Sequence, residues 1–245
     1  MTATLWRLSG VETRKMIDTR AGVWLLGLIA LIGAGLAAVL MVVGDPGEQT
    51  MSEYFTFAQL GVAVLLPILG ILIVTSEWSQ RTALTTFALQ PRRGWVIAAK
   101  AAASVVLVVV TTAAMLGLAA LANLITPLVT DAPGSFSVEA GLIGRTIVFQ
   151  LAGVLVGFAF GLALLSSPLA IVLYFVLPTV WTVLGSVISA LDSVAPWLDF
   201  SMTTAPLLEG SLDGEQWAQV GTSMAVWFVL PLVLGVIRVL RAEIK

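Results

Sequence analysis

The chain contains no cysteine and no histidine. The first absence removes thiol nucleophiles, disulfides and cysteine-based zinc clusters; the second removes the imidazole base of many hydrolytic mechanisms. Charge is scarce too, at 11% of 245 residues, less than half of the roughly 25% in an ordinary soluble domain. The three lysines lie in Arg14-Lys15-Met16, Ala99-Lys100-Ala101 and at the C-terminus. None follows the glycine-rich turn that a phosphate-binding P-loop requires. We therefore expect a chain that is not an enzyme and holds no cofactor, metal or nucleotide of its own.

Apolar sequence is in excess, at 59%. Uninterrupted apolar runs of about 20 residues override length as a guide to domain number and mark an all-α integral membrane protein. Six spans are expected, at about residues 21–43, 55–74, 101–121, 146–165, 169–191 and 217–237, within a single transmembrane domain, 1–245. The first is too long for a signal-peptide core and reads as a retained span. Pro67 should kink the second. The uncharged run from Thr146 to Leu191 would be roughly 70 Å long as one helix, more than twice a bilayer core. It must fold back, and Ser166-Ser167-Pro168 is the turn available.

Two segments outside the spans look amphipathic. In residues 1–20, Leu5, Leu8 and Met16 share one arc, with Arg7, Arg14 and Asp18 roughly opposite. This predicts a helix lying in the membrane interface, the alternative being a basic terminus that only sets orientation. Glu12 falls inside the apolar arc and spoils the pattern. In residues 192–216, Trp197, Leu198, Phe200, Met202, Leu207 and Leu208 alternate with acids and are divided by Pro196, Pro206, Gly210 and Gly214. Short helices dipping into the outer interface fit that composition.

Basic residues fix an orientation. With the N-terminus inside, Arg7, Arg14, Lys15, Arg20, Arg81, Arg92, Arg93, Lys100, Arg238, Arg241 and Lys245 fall on the cytoplasmic side and only Arg145 on the other. The positive-inside rule then predicts six spans in the cell membrane with both termini cytoplasmic. Deep in the spans there is no Asp, Glu, Lys or Arg, whereas a proton- or sodium-coupled carrier buries at least one. Gly153, Gly157 and Gly161 form a continuous small-residue face for helix packing, either within the subunit or in a dimer.

The longest polar interruption on the positive side is Thr75–Lys100, TSEWSQRTALTTFALQPRRGWVIAAK. Glu77 to Gln90 is long enough for a helix of three to four turns, ended by Pro91, with Lys100 snorkelling to the interface. Its apolar residues fall on two arcs, Leu84 with Phe87 and Trp78 with Leu89. Two arcs suggest contact with the chain's own spans on one side and a partner on the other; a solvated basic loop is the alternative.

The order of an apolar span, SEW, RT, a short helix, PRR and AAK resembles the permease subunits of the second class of ABC exporters. In that family a Glu at the inner end of span two opens a coupling helix that closes at a Pro-Arg-type turn before a Lys. Glu77, Arg81-Thr82, Pro91-Arg92-Arg93 and Lys100 match in order; Gln80-Arg81 departs from the Gly that many members place before the Thr. The six-span plan, with its N-terminal interfacial helix and outer helices between spans five and six, extends the resemblance over nearly the whole chain.

The resemblance implies that this chain forms the translocation path and that residues 76–94 couple it to a separate P-loop ABC ATPase subunit, where ATP and Mg would bind. A second permease copy or a homologue would complete the path, surrounded by membrane lipid, with no nucleic acid involved. Glu77 and Arg81, beside Thr82, would anchor the coupling helix, and Trp78, Leu84 and Phe87 would supply apolar grip. Arg92 and Arg93, after Pro91, would pair with ATPase acids or lipid phosphates. The uncharged spans point to a hydrophobic or amphipathic cargo such as a drug, lipid or lipopeptide. The competing classes are a channel or ion-coupled carrier without an ATPase, and a non-transporting membrane scaffold.

Overall fold

The computed structural model describes residues 3–80, 82–90 and 92–241. Arg81 and Pro91, both assigned coupling roles above, lie outside the described residues. Helix α1 (Ala3–Asp18) meets α2 (Arg20–Val43) at Thr19, an extended residue whose hydroxyl accepts from the Gly22 amide at 3.1 Å. That is an N-cap, and it lets the chain turn sharply with a single residue between two helices. Then follow α3 (Met51–Ser79), α4 (Ala83–Leu89), α5 (Arg93–Val129), α6 (Ala140–Leu164) and α7 (Ser167–Val187). Three short pieces come next, α8 (Ala195–Leu198), α9 (Phe200–Thr204) and α10 (Pro206–Glu209). The chain closes with α11 (Gly214–Met224), a π turn at Ala225–Val229 and α12 (Leu230–Arg241).

Among the described residues there are only helices and connections. Six helices are long and apolar enough to cross a bilayer: α2, α3, α5, α6, α7 and the continuous Gly214–Arg241. This is a multi-pass membrane protein. Most of these helices outrun the apolar cores read from sequence, α5 most of all, whereas α7 ends at Val187, short of the span expected to reach residue 191. The 37 residues of α5 measure roughly 55 Å at 1.5 Å each, well beyond a ~30 Å hydrocarbon layer.

Helix α3 is the axis of the bundle. It is apolar on every face rather than along one stripe, which suits a helix surrounded by others. Tyr54, Phe55, Leu66 and Leu69 are completely buried, and α2, α5 and α6 pack around them. Helices α7 and α12 pack chiefly on α6, with smaller contacts of α7 to α3 and of α12 to α5. Their outward faces, such as Val172, Val176 and Val180 on α7, are apolar and exposed, as expected where lipid is the solvent. Pro231 supplies no amide proton, and just before it the Leu230 amide reaches five residues back to Ala225, which is how the π turn absorbs the break.

The expected fold-back between α6 and α7 occurs through Leu165 and Ser166, with Pro168 in the first turn of α7. Leu165 adopts a left-handed conformation at φ 52°. Arg238 donates to the Ala163 carbonyl at 2.6 Å beside it, satisfying one of the carbonyls left open at that helix end. Residues 192–216 form short helices, as their composition predicted. Leu207 is fully buried, Asp199 caps α9 through the Met202 amide at 2.9 Å, and the Trp227 indole donates to Leu198 at 2.7 Å.

The glycine face of α6 lies against α3. Gly153 and Gly157 face Pro67, and Gly161 faces Ile71 and Val74. A methyl at Gly157 would overlap the Pro67 carbonyl, which is backbone and cannot swing aside. These glycines therefore serve packing within the chain. Gly157→Val should cost about 1–3 kcal/mol by overpacking, read as a lower thermal midpoint in detergent. Gly117→Ala, whose new methyl meets nothing within 4 Å, should stay within about 0.5 kcal/mol.

Candidate functional site

One cluster of charge ties four elements together where α3 ends and α5 begins. Lys100 reaches inward from the second turn of α5. Its ammonium donates to Glu12 Oε2 at 2.5 Å and to the Ile73 carbonyl at 2.9 Å, and lies 3.1 Å from Glu77 Oε1. Lys15, on α1, donates to Glu12 Oε1 at 2.7 Å and to Glu77 Oε1 at 3.1 Å. Thr86 of α4 donates to the same Glu77 oxygen at 3.1 Å. Two carboxylates and two ammoniums thus join α1, α3, α4 and α5 with no net charge.

Burial decides what this cluster is worth. Glu12 is 6% exposed and Glu77 and Lys100 are each 4% exposed. An isolated charge at such a site costs several kcal/mol, and only pairing with good hydrogen bonds offsets it. Each of these groups is in place because the others are. Burial alone would raise the Glu12 carboxyl; the Lys100 charge and hydrogen bonds from Lys100 and Lys15 outweigh it and hold the group below its ordinary 4.5. For Lys15, burial works to lower the ammonium, but the hydrogen bond and charge of Glu12, with Glu77 behind them, raise it above its ordinary 10.5.

A second contact set lies beside the first. Phe87 of α4 is buried, edge-on to Trp78 of α3 at 5.8 Å between ring centres. The Arg93 guanidinium stands 5.4 Å from the Phe87 ring centre, a cation–π contact. Arg93 also donates to the Val239 carbonyl at 2.6 Å, near the C-terminal end of α12, where a cation is favoured. So α4 is fastened by Thr86 and Phe87, while Leu84 on its other side is 53% exposed.

This differs from the sequence reading in three ways. The expected single helix from Glu77 to Gln90 is divided: Glu77 and Trp78 close α3, and α4 is a separate seven-residue helix beginning after Thr82. The Thr82 amide bonds back to the Glu77 carbonyl at 2.8 Å, which makes the turn. Leu84 and Phe87, expected to act together, face opposite ways, out and in. Lys100, expected to snorkel, is instead buried at the centre of the cluster. Of the remaining candidates, Thr82 and Arg92 are exposed and Arg93 is engaged with α12, while Gly153, Gly157 and Gly161 belong to the α3–α6 seam.

Glu12, Lys15 and Thr86 were not among the candidates. The signal for Glu12 was its place inside the apolar arc of α1: an acid on a buried face needs a buried partner, and Lys100, two turns into an apolar helix, needed one as well.

Removing Lys100 leaves two buried carboxylates sharing one partly exposed ammonium, that of Lys15, so Lys100→Met should cost about 3–5 kcal/mol, measured by thermal or denaturant unfolding in detergent. The pH dependence follows from the two shifts. A carboxylate held below its unfolded value stabilises the fold above pH 4.5 and loses that contribution as pH falls through the lowered value. A raised ammonium contributes fully below pH 10.5 and loses its share as pH rises through the folded value. The melting temperature should therefore drop at both extremes, and Glu12→Gln should flatten the acid limb.

No family model matches this chain, and no curated protein matches it.

Proposed function

We propose that the chain is the membrane-spanning subunit of an ATP-driven ABC exporter and that α4 is its coupling helix. The observation that carries this reading is the two-sidedness of α4. Phe87 and Thr86 are held by the ends of α3 and α5, whereas Leu84 and Ala88 stand outward. A helix built only to close a loop has no need of an exposed leucine opposite a buried phenylalanine. The resemblance of Thr75–Lys100 to exporter permeases supplies the partner: a separate P-loop ATPase that binds ATP and Mg.

In this reading α4 and both termini face the cytoplasm of the cell. Two permease copies, identical or paired with a homologue, sit over two ATPase subunits. Closure of the ATPase dimer pushes on α4. The Thr86–Glu77 bond and the Phe87–Trp78 contact pass that push to α3, Lys100 passes it to α5, and Arg93 to α12. Arg92, exposed beside α4, is placed for ATPase acids or lipid phosphates. The cargo is hydrophobic or amphipathic, since the spans offer it few ionic groups.

A proton-coupled carrier is the second reading, and one observation favours it: Glu12, Glu77 and Lys100 are ionisable side chains buried together at the ends of the spans. Transport in proteoliposomes driven by a pH gradient without ATP would select that reading. For the exporter, Leu84→Asp should weaken co-purification with the cognate ATPase by about tenfold or more, with an unchanged melting temperature. Phe87→Ala should lower the melting temperature itself. An unaltered ATPase complex and unaltered ATP-driven transport in Leu84→Asp would remove α4 as the docking helix.

A further inference from the structure

Helices α5 and α12 both pack on α6 but touch one another little. Between them runs a cleft of about 260 Å³, floored by Phe158 of α6. Gly94 and Ala98 belong to its α5 wall, and Phe228, Leu232 and Val236 to the wall on the other side. Every residue that lines it is glycine or apolar. Gly94 and Ala98 are both exposed, and a methyl at Gly94 would meet nothing within 4 Å, so the chain itself leaves this space unfilled. From Phe228 to Val236 the cleft runs for roughly 12 Å, at 1.5 Å per residue. One leaflet of hydrocarbon is about 15 Å deep, half of the bilayer core.

The end of the cleft at Gly94 and Val236 lies where α5 begins and α12 ends, and the charge these helices bring there is all of one sign. Arg93 donates from α5 to the Val239 carbonyl of α12 at 2.6 Å and so ties the two walls together at that end. Arg92, Arg238 and Arg241 are exposed and form no ion pair among the described residues. Helices α5, α6 and α12 carry no Asp or Glu.

Water in an apolar space leaves its hydrogen bonds unmade, so such a cleft stays dry and takes hydrocarbon. In a bilayer the hydrocarbon at hand is a lipid chain. Clusters of about four or more basic residues just beyond a span draw anionic headgroups. We propose that the cleft seats one acyl chain of an anionic phospholipid, with its phosphate among Arg92, Arg93, Arg238 and Arg241. A zwitterionic lipid would fill the cleft but leave the arginines unanswered, and a free phosphate would leave the cleft empty. The site needs no ATPase, so it stands or falls separately from the exporter reading.

The test uses the full chain, delipidated in detergent, without nucleotide or ATPase. Native mass spectrometry follows its titration with dioleoylphosphatidylglycerol, with dioleoylphosphatidylcholine, and with glycerophosphoglycerol, the anionic headgroup without chains. The expected result is one phosphatidylglycerol held per chain, at least about tenfold tighter than phosphatidylcholine, and no retention of glycerophosphoglycerol. Gly94→Phe and Ala98→Phe each place a ring in the cleft from an exposed position. Each should remove that one lipid while keeping the wild-type melting temperature. Arg92→Gln combined with Arg241→Gln should weaken phosphatidylglycerol at least about fivefold and leave phosphatidylcholine unchanged. If one filled variant fails to fold, the other carries the comparison, and the comparison of lipids needs neither. Equal retention of the two lipids, retention of glycerophosphoglycerol, an unaltered preference in the arginine variant, or a tightly held lipid in a folded filled variant overturns the proposal.

Discussion

The buried ion cluster is the constraint on which the site region depends. Lys100 can occupy the first turns of an apolar helix only because Glu12 and Glu77 meet it there, and α1 packs on α5 with an acid on its inner face only because Lys100 is beneath it. Low exposure makes each charge expensive alone and strongly held together. Among the described residues nothing comparable lies deeper in the bundle. There, neutral polar pairs suffice, such as Gln150 with Gln59 at 3.3 Å and Tyr54 with Thr126 at 2.8 Å. The chain concentrates its ionic interactions at one end of its helices and leaves the middle to packing.

That distribution explains how a seven-residue helix can be held with so little area of its own. Helix α4 has no capping side chain at its start, and a helix this short is not stable alone. It is kept in shape by Thr86 on Glu77 and by Phe87 between Trp78 and Arg93. Glu77 and Trp78 belong to α3 and Arg93 to α5, both long helices. A displacement of α4 therefore cannot be absorbed locally. In the proposed exporter, this is the property a coupling element requires: stiff attachment on one side and an exposed grip on the other.

Much of the fold was legible because the bilayer imposes a coarse rule. Apolar runs of the right length must be helices, so six of them could be counted from composition, and the α6–α7 turn followed from length alone. Helix ends were less legible. The extent of α5 from Arg93 to Val129 exceeds its uncharged core, because Lys100 is neutralised by partners distant in sequence. The same non-local pairing hid most of the site. Glu12 and Lys100 are 88 residues apart, and no local pattern joins them. Glu77, Trp78 and Phe87 were identifiable from the segment they occupy, but their division into buried anchors and an exposed Leu84 required the turn at Thr82, which interrupts the expected helix.

The central claim is that the ion cluster makes α1 and α4 one rigid body with the ends of α3 and α5. The absence of native cysteine allows spin labels to be placed at Arg14→Cys on α1 and Ala88→Cys on α4, both exposed positions. Double electron–electron resonance in nanodiscs should then give a single narrow distance distribution, and adding Lys100→Met should broaden it. A broad distribution without that substitution, or a narrow one that survives it, would contradict the account.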